Sequence, residues 1–139
     1  MSHDSRPAVA PLPADGRAMK GKRGLQRLLN AARYSVDGLG AAWQHEDAFR
    51  QEVVLAAILI PVALLLRLPV VETVLLIGVV VLVLIVELLN SGIEAAIDRD
   101  SYEINALGKR AKDIGSAAVM LSLLLALGTW LAILASRFL

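Results

Sequence analysis

Three apolar blocks, at about 53–66, 74–97 and 114–134, dominate this chain of 139 residues, and short polar connections separate them. A soluble domain of this size would alternate apolar with polar residues, whereas here the apolar residues are gathered together. Hydrophobic residues make up 57% of the chain and mean hydropathy is +0.64, yet aromatics are only 4%, so Leu, Val, Ala and Ile carry the apolar mass. A bilayer core of about 30 Å needs about 20 residues of helix to cross it, so each block reads as a transmembrane helix. The first is short, and Arg67 at its far end is placed to snorkel to the interface. Pro61 inside it removes one backbone hydrogen bond and is expected to kink or locally unwind the helix. The expected fold is all-α: a tail at 1–24, then one membrane domain at 25–139. That domain comprises an amphipathic surface helix at 25–47, spans at 50–68, 71–98 and 112–136, and a cytoplasmic loop at 99–111.

The middle block carries polar residues in a pattern. Glu87, Asn90 and Glu94 recur at i, i+3 and i+7, one face of a helix, and Asp98 extends the row. An ionisable group at membrane depth costs at least about 2.5 kcal/mol on insertion scales, so Glu87 needs a protein partner, a cation or a watery cavity. A lone intramembrane Glu could simply be protonated and bonded to a neighbouring helix. Three aligned polar groups and Asp98 point instead to a functional site.

Net charge is only +1, but the basic residues are unevenly placed. Arg6, Arg17, Lys20, Lys22, Arg23, Arg27, Arg33 and Arg50 precede the first span; Arg99, Lys109, Arg110 and Lys112 lie between the second and third. Both segments, and with them the N-terminus and the polar site, are expected on the cytoplasmic side. The tail, with Pro7, Pro11 and Pro13, lacks apolar periodicity and the apolar core of a signal peptide, so it reads as disordered and uncleaved. Gly16 to Lys22 spells a phosphate-loop lookalike, but Arg23 follows in place of Ser or Thr and no strand precedes it. With no cysteine, disulfide and thiolate chemistry are excluded. No nucleic-acid partner is expected.

From Leu25 the pattern becomes amphipathic: Leu25, Leu28, Leu29, Ala32, Val36, Leu39 and Trp43 fall at helical spacing, as in a helix lying on the interface. Trp43 suits the headgroup level. Glu46, Asp47, Arg50 and Glu52 follow, and a charged collar at a membrane boundary is ordinarily just solvated. Lys112 and Asp113 stand where the third span begins, with Gly115 and Ser116 permitting tight packing inside it. A Lys there serves as a positive-inside anchor or holds a phosphate as a point charge.

If Glu94 and Glu46 meet near the interface, the pair suits a magnesium nucleotide, because Mg²⁺ takes one or two carboxylates together with phosphate oxygens and water. Glu87 lies about 10 Å deeper on the same face, within reach of a lipid hydroxyl, and is a candidate general base. Asn90 between them could orient either group, and Lys112 could neutralise a transferring phosphoryl group.

Three strings carry a resemblance: AAWQHEDAFRQE (41–52), ELLNSGIEAAIDR (87–99) and GKRAKDIGSAAV (108–119). Together they resemble the prokaryotic diacylglycerol kinases, small integral membrane enzymes, over about residues 28–138. The resemblance implies transfer of the ATP γ-phosphoryl group to diacylglycerol, giving phosphatidic acid, with Mg²⁺ as cofactor. Glu87 looks like the family's catalytic base, assisted by Asn90 and Lys112, and Glu46 and Glu94 like its metal carboxylates, with Asp98 in support. Arg27, Tyr34, Glu103, Lys112 and Asp113 match nucleotide-binding positions, together with the two metal carboxylates. Ser35 and Trp43, with Glu87, match positions at the lipid substrate. The resemblance further implies a homotrimer in the bacterial inner membrane with composite sites between subunits. The chain departs from the family pattern at Asp37, Gly40, Asp100 and Asn105. Undecaprenol is the alternative acceptor, since similar motifs serve that lipid, although AKDIGSAAV looks more like the diacylglycerol branch. A non-enzymatic carrier is the remote alternative; it would need polar groups on both sides of the membrane, and here they cluster on one.

Overall fold

The computed structural model of the protein describes residues 24–100 and 105–139. The expected tail, apart from Gly24, lies outside them, as does Glu103. Four helices are present among the described residues: α1 Leu25–His45, α2 Asp47–Leu65, α3 Val70–Asp100 and α4 Ala106–Phe138. The last three are long and apolar enough to cross a membrane. The chain divides into two units, Met1–Asp37 and Gly38–Leu139. In the first, the described residues are the opening turns of α1, begun by Gly24 at φ 37° and exposed along Leu25, Leu28, Leu29 and Val36.

In the second unit α3 is central, packing against both α2 and α4. The inward residues follow helical spacing: Phe49, Ala56 and Ala63 on α2, and Leu76, Val80 and Val83 on α3. Lipid tails are as apolar as leucine, so helix association in a bilayer rests on close packing and on hydrogen bonds between helices. Ala56 and Ala63 meet the first need, letting α2 approach the cluster of Leu76, Val80 and Trp130 closely. Trp130 meets the second, donating from Nε1 to the Leu76 carbonyl at 3.2 Å in a buried position. Farther out, Arg137 joins Glu72 through two bonds, Nε to Oε2 at 2.9 Å and Nη2 to Oε1, so α3 and α4 run antiparallel with their far ends tied.

The helix boundaries depart from the hydropathy boundaries for local reasons. The break between α1 and α2 is a single residue, Glu46, in extended conformation at φ −117° and ψ 107°. Arg50 holds this break: Nη1 donates to the carbonyls of Trp43 (3.0 Å) and Gln44 (3.3 Å), which lack helical partners, and Nη2 pairs with Asp47 in the first turn of α2. Helix α2 continues through Pro61 to Leu65, so the expected unwinding there does not occur. Arg67 then turns the chain at φ 52°, and the Pro69 carbonyl accepts the first bond of α3, from Thr73 at 3.0 Å. Helix α4 starts six residues before the expected span. Its polar opening is helical in its own right, because the Asn105 side chain accepts from Gly108 N at 2.6 Å and Lys109 pairs with Asp113 one turn on at 2.6 Å.

Trp130→Phe removes the cross-helix hydrogen bond and keeps a ring. Its expected cost is about 0.6 kcal/mol, the average for such bonds in membranes, against about 3–5 kcal/mol for Trp130→Ala, which also opens a cavity. Equilibrium unfolding in mixed micelles measures both. A Phe variant as unstable as the Ala variant would mean that the hydrogen bond, and not the packing of the ring, joins α3 to α4.

Candidate functional site

The inward face of α3 changes chemistry along its length. Leu76, Val80 and Val83 give way, at the same spacing, to Glu87, Asn90 and Ser91, which are also buried. Glu94 and Asp98 then follow, half-buried and exposed respectively. The seam that packs at one end is therefore lined with oxygen at the other. Glu87 is only 4% exposed. Glu52 of α2 and Glu46 at the α1–α2 break are half-buried.

Asn90 lies between Glu87 and Glu94, 9% exposed. Its Nδ2 donates to Glu94 Oε1 at 3.2 Å. Its Oδ1 is buried, meets no donor among the described residues and rests against Gly115 of α4. One turn beyond Glu94, Lys112 Nζ donates to Asp98 Oδ1 at 2.5 Å, a pair that links α3 to α4 and leaves both side chains open to solvent on one side. The structure therefore joins Asn90 to Glu94 and Lys112 to Asp98 directly, with Glu87 buried on the same face of α3.

Other expected residues are placed differently. The Asp113 carboxylate pairs with Lys109 on its own helix. Trp43 is exposed, and its carbonyl accepts from Arg50. Arg27, Tyr34 and Ser35 belong to the first unit, where they are exposed and the Ser35 hydroxyl donates to the Ala31 carbonyl at 2.8 Å. Glu103, as noted, is outside the described residues.

Sequence reasoning passed over three residues. Glu52, read as part of a solvated collar, is half-buried and its Oε2 has no hydrogen-bond partner among the described residues. The signal was available: Glu52 falls three residues after Phe49 and four before Ala56, on the stripe that faces inward. Ser91, whose Oγ is buried and similarly unpartnered, falls four residues after Glu87. Gly115, read as a general packing residue, is a specific neighbour of Asn90.

The donors gathered here are carboxylate, carboxamide and hydroxyl oxygens. No group of three or more Asp, Glu or His able to hold a metal occurs among the described residues. That set fits a magnesium ion arriving with a nucleotide, because Mg²⁺ is held by one or two carboxylates while phosphates and waters complete its octahedron. The Glu46 side chain makes no capping bond to α2, which leaves its carboxylate available.

Residues 33–134 match the family profile of prokaryotic diacylglycerol kinases. A diacylglycerol kinase of Pseudomonas aeruginosa is 53% identical over 115 residues, 83% of this chain and 94% of that protein. The diacylglycerol kinase of Escherichia coli K12 is 48% identical with the same coverage of each chain. One from Helicobacter pylori is 45% identical over 102 residues, 73% of this chain and 80% of the relative.

A carboxyl group only 4% exposed is costly to bury, a cost to stability characteristic of sites built for chemistry. Glu87→Gln keeps the shape and removes the ionisable group. We expect this variant to melt a few degrees above the parent in detergent, as followed by circular dichroism. A lower midpoint would mean that Glu87 has a favourable partner which outweighs the cost of burial.

Proposed function

The chain belongs to the prokaryotic diacylglycerol kinase family, enzymes that transfer phosphate to a lipid alcohol, and from that premise we propose how it works and on what. The donor is ATP and the acceptor is the primary hydroxyl of sn-1,2-diacylglycerol, giving phosphatidic acid. The observation that carries the assignment of roles is the 4% exposure of Glu87 on the face that Glu94 and Asp98 continue outward. A lipid hydroxyl reaching Glu87 from the bilayer would find a base shielded from bulk water, while a nucleotide would meet the outer carboxylates and Lys112.

In the proposed reaction Glu87 accepts the hydroxyl proton as the lipid oxygen attacks the γ-phosphorus; the bond to the bridging oxygen breaks and ADP departs. Glu46 and Glu94 hold Mg²⁺, which when bound supplies charge neutralisation on the phosphates. Asn90 orients Glu94 through its carboxamide. Lys112, paired with Asp98 in the structure, turns to the phosphates and neutralises charge on the transferring phosphoryl group. Arg27, Tyr34, Glu103 and Asp113 are proposed nucleotide contacts, and Ser35 and Trp43 contacts to the lipid headgroup.

The proposed setting is the bacterial inner membrane, with the N-terminus and the site on the cytoplasmic side and α1 lying amphipathically at the surface. A homotrimer accounts for one feature of the single chain: Glu94, Asp98 and Lys112 form a site that is open on one side.

The test is phosphate transfer from labelled ATP by the purified protein in mixed micelles, with diacylglycerol and undecaprenol offered in parallel, with and without Mg²⁺. Magnesium-dependent phosphatidic acid is expected; dominant prenyl phosphate would keep the mechanism and change the acceptor. Glu87→Gln should abolish turnover and retain assembly and nucleotide binding, so normal turnover would remove its role as base. Glu46→Ala and Glu94→Ala should weaken Mg-nucleotide binding as well. Lys112→Met should lower the rate strongly; if it alters only expression or topology, Lys112 is an anchor.

A further inference from the structure

Gly115 differs from the other glycines of α3 and α4. A Cβ added at Gly78, Gly92 or Gly128 would meet nothing within 4 Å, and one at Gly108, in the first turn of α4, would come no nearer than 3.1 Å, to Ile97 Cγ2. At Gly115 it would fall on Asn90 Oδ1 and lie 3.3 Å from Asn90 Cγ. A helix-interior glycine weakens its helix relative to alanine, so its presence here calls for a local reason. That reason lies across the interface: the carboxamide of Asn90 occupies the space a side chain would fill.

The orientation of that carboxamide is set from two ends. Nδ2 is directed at Glu94 Oε1 at 3.2 Å, whereas Oδ1 has no donor among the described residues to hold it. Only the bare backbone of Gly115 allows Oδ1 to lie where it does. A methyl group at position 115 would push on the unheld end, and since both amide ends turn together, Nδ2 would leave Glu94. We infer that Gly115 is a positioning residue for Glu94, acting through Asn90, and so tunes the hold of this chain on a divalent cation. This rests on the proposed reading of Glu94 as a metal carboxylate. The size of the effect follows from what outer partners do for metal ligands generally: their removal typically costs about 10–100-fold in affinity.

The measurement is Mn²⁺ binding in the presence of a non-hydrolysable ATP analogue, followed by electron paramagnetic resonance on the full-length protein in mixed micelles, with no turnover involved. Gly115→Ala is expected to weaken Mn²⁺ binding at least about tenfold. In an Asn90→Ala background the same substitution is expected to change it less than about twofold, because the group it displaces is already gone. An equal loss in both backgrounds, or no loss in the parent, would overturn the inference. If Gly115→Ala does not fold, adding Asn90→Ala is expected to restore folding by vacating the space, and a double variant that also fails overturns it. Glu94→Gln separates the two levels of the argument. Unchanged Mn²⁺ binding in that variant removes the metal reading and the inference with it; weakened binding there beside unaffected Gly115→Ala removes the inference alone.

Discussion

A carboxyl group on an apolar helix has to be kept from lipid, and Glu87, only 4% exposed, places that demand on the whole second unit. It is met on α3, the helix that packs against two others. A helix carrying Glu87, Asn90, Ser91 and Glu94 on one face cannot present that face to lipid, where each unpaired polar group costs several kcal/mol. Packing α2 and α4 against α3 encloses the polar stripe, and the apolar half of the same stripe, Leu76, Val80 and Val83, provides the packing that holds the enclosure together.

The flanking helices are adapted to that task in different ways. Helix α4 contributes absence at Gly115, where the Asn90 carboxamide lodges, and charge at Lys112, which answers Asp98. Helix α2 contributes Glu52, half-buried with its Oε2 unpartnered among the described residues, which does not favour the packing of the isolated chain. Its placement is intelligible as part of a binding or catalytic arrangement, because sites tolerate unpaired buried polar groups that cores avoid. At the break between α1 and α2, Arg50 resolves a separate problem: it satisfies the last carbonyls of α1 and pairs with the first turn of α2, so that Glu46 stands between two finished helix ends with no capping bond from its own carboxylate.

Much of this was legible in the sequence, and the reasons for success and failure are physical. Three apolar blocks announce three spanning helices, and the i, i+3, i+7 row of Glu87, Asn90 and Glu94 announces a polar face, because both follow from period and solvent alone. Hydropathy, however, reports where the apolar solvent begins and says little about where a helix begins. Helix α4 starts at Ala106 on the strength of the Asn105 cap, and α2 starts at Asp47 because Arg50 braces the break before it. Glu52 was passed over since its charge suggested solvent more loudly than its spacing from Phe49 and Ala56 suggested an interior. The contact between Gly115 and Asn90 could not be read at all: it joins residues twenty-five positions apart, and its register is set by how α3 and α4 slide past one another.

That register is fixed at the opposite end of the bundle. Trp130 on the Leu76 carbonyl and Arg137 on Glu72 lock α4 to α3 far from the polar stripe, the first by a buried hydrogen bond and a large ring, the second by a two-pronged ion pair. Among the described residues, the direct bond between the two helices at the polar end is Asp98 with Lys112, which is solvent-accessible and, on the proposed mechanism, must open for each nucleotide. The division is a consequence of chemistry: groups that have to exchange partners cannot also be the groups that hold the structure. A bundle clamped at its apolar end can leave its polar end held by exchangeable pairs, and the close approach of α4 to Asn90 at Gly115 belongs to the register in which the clamp sets the two helices.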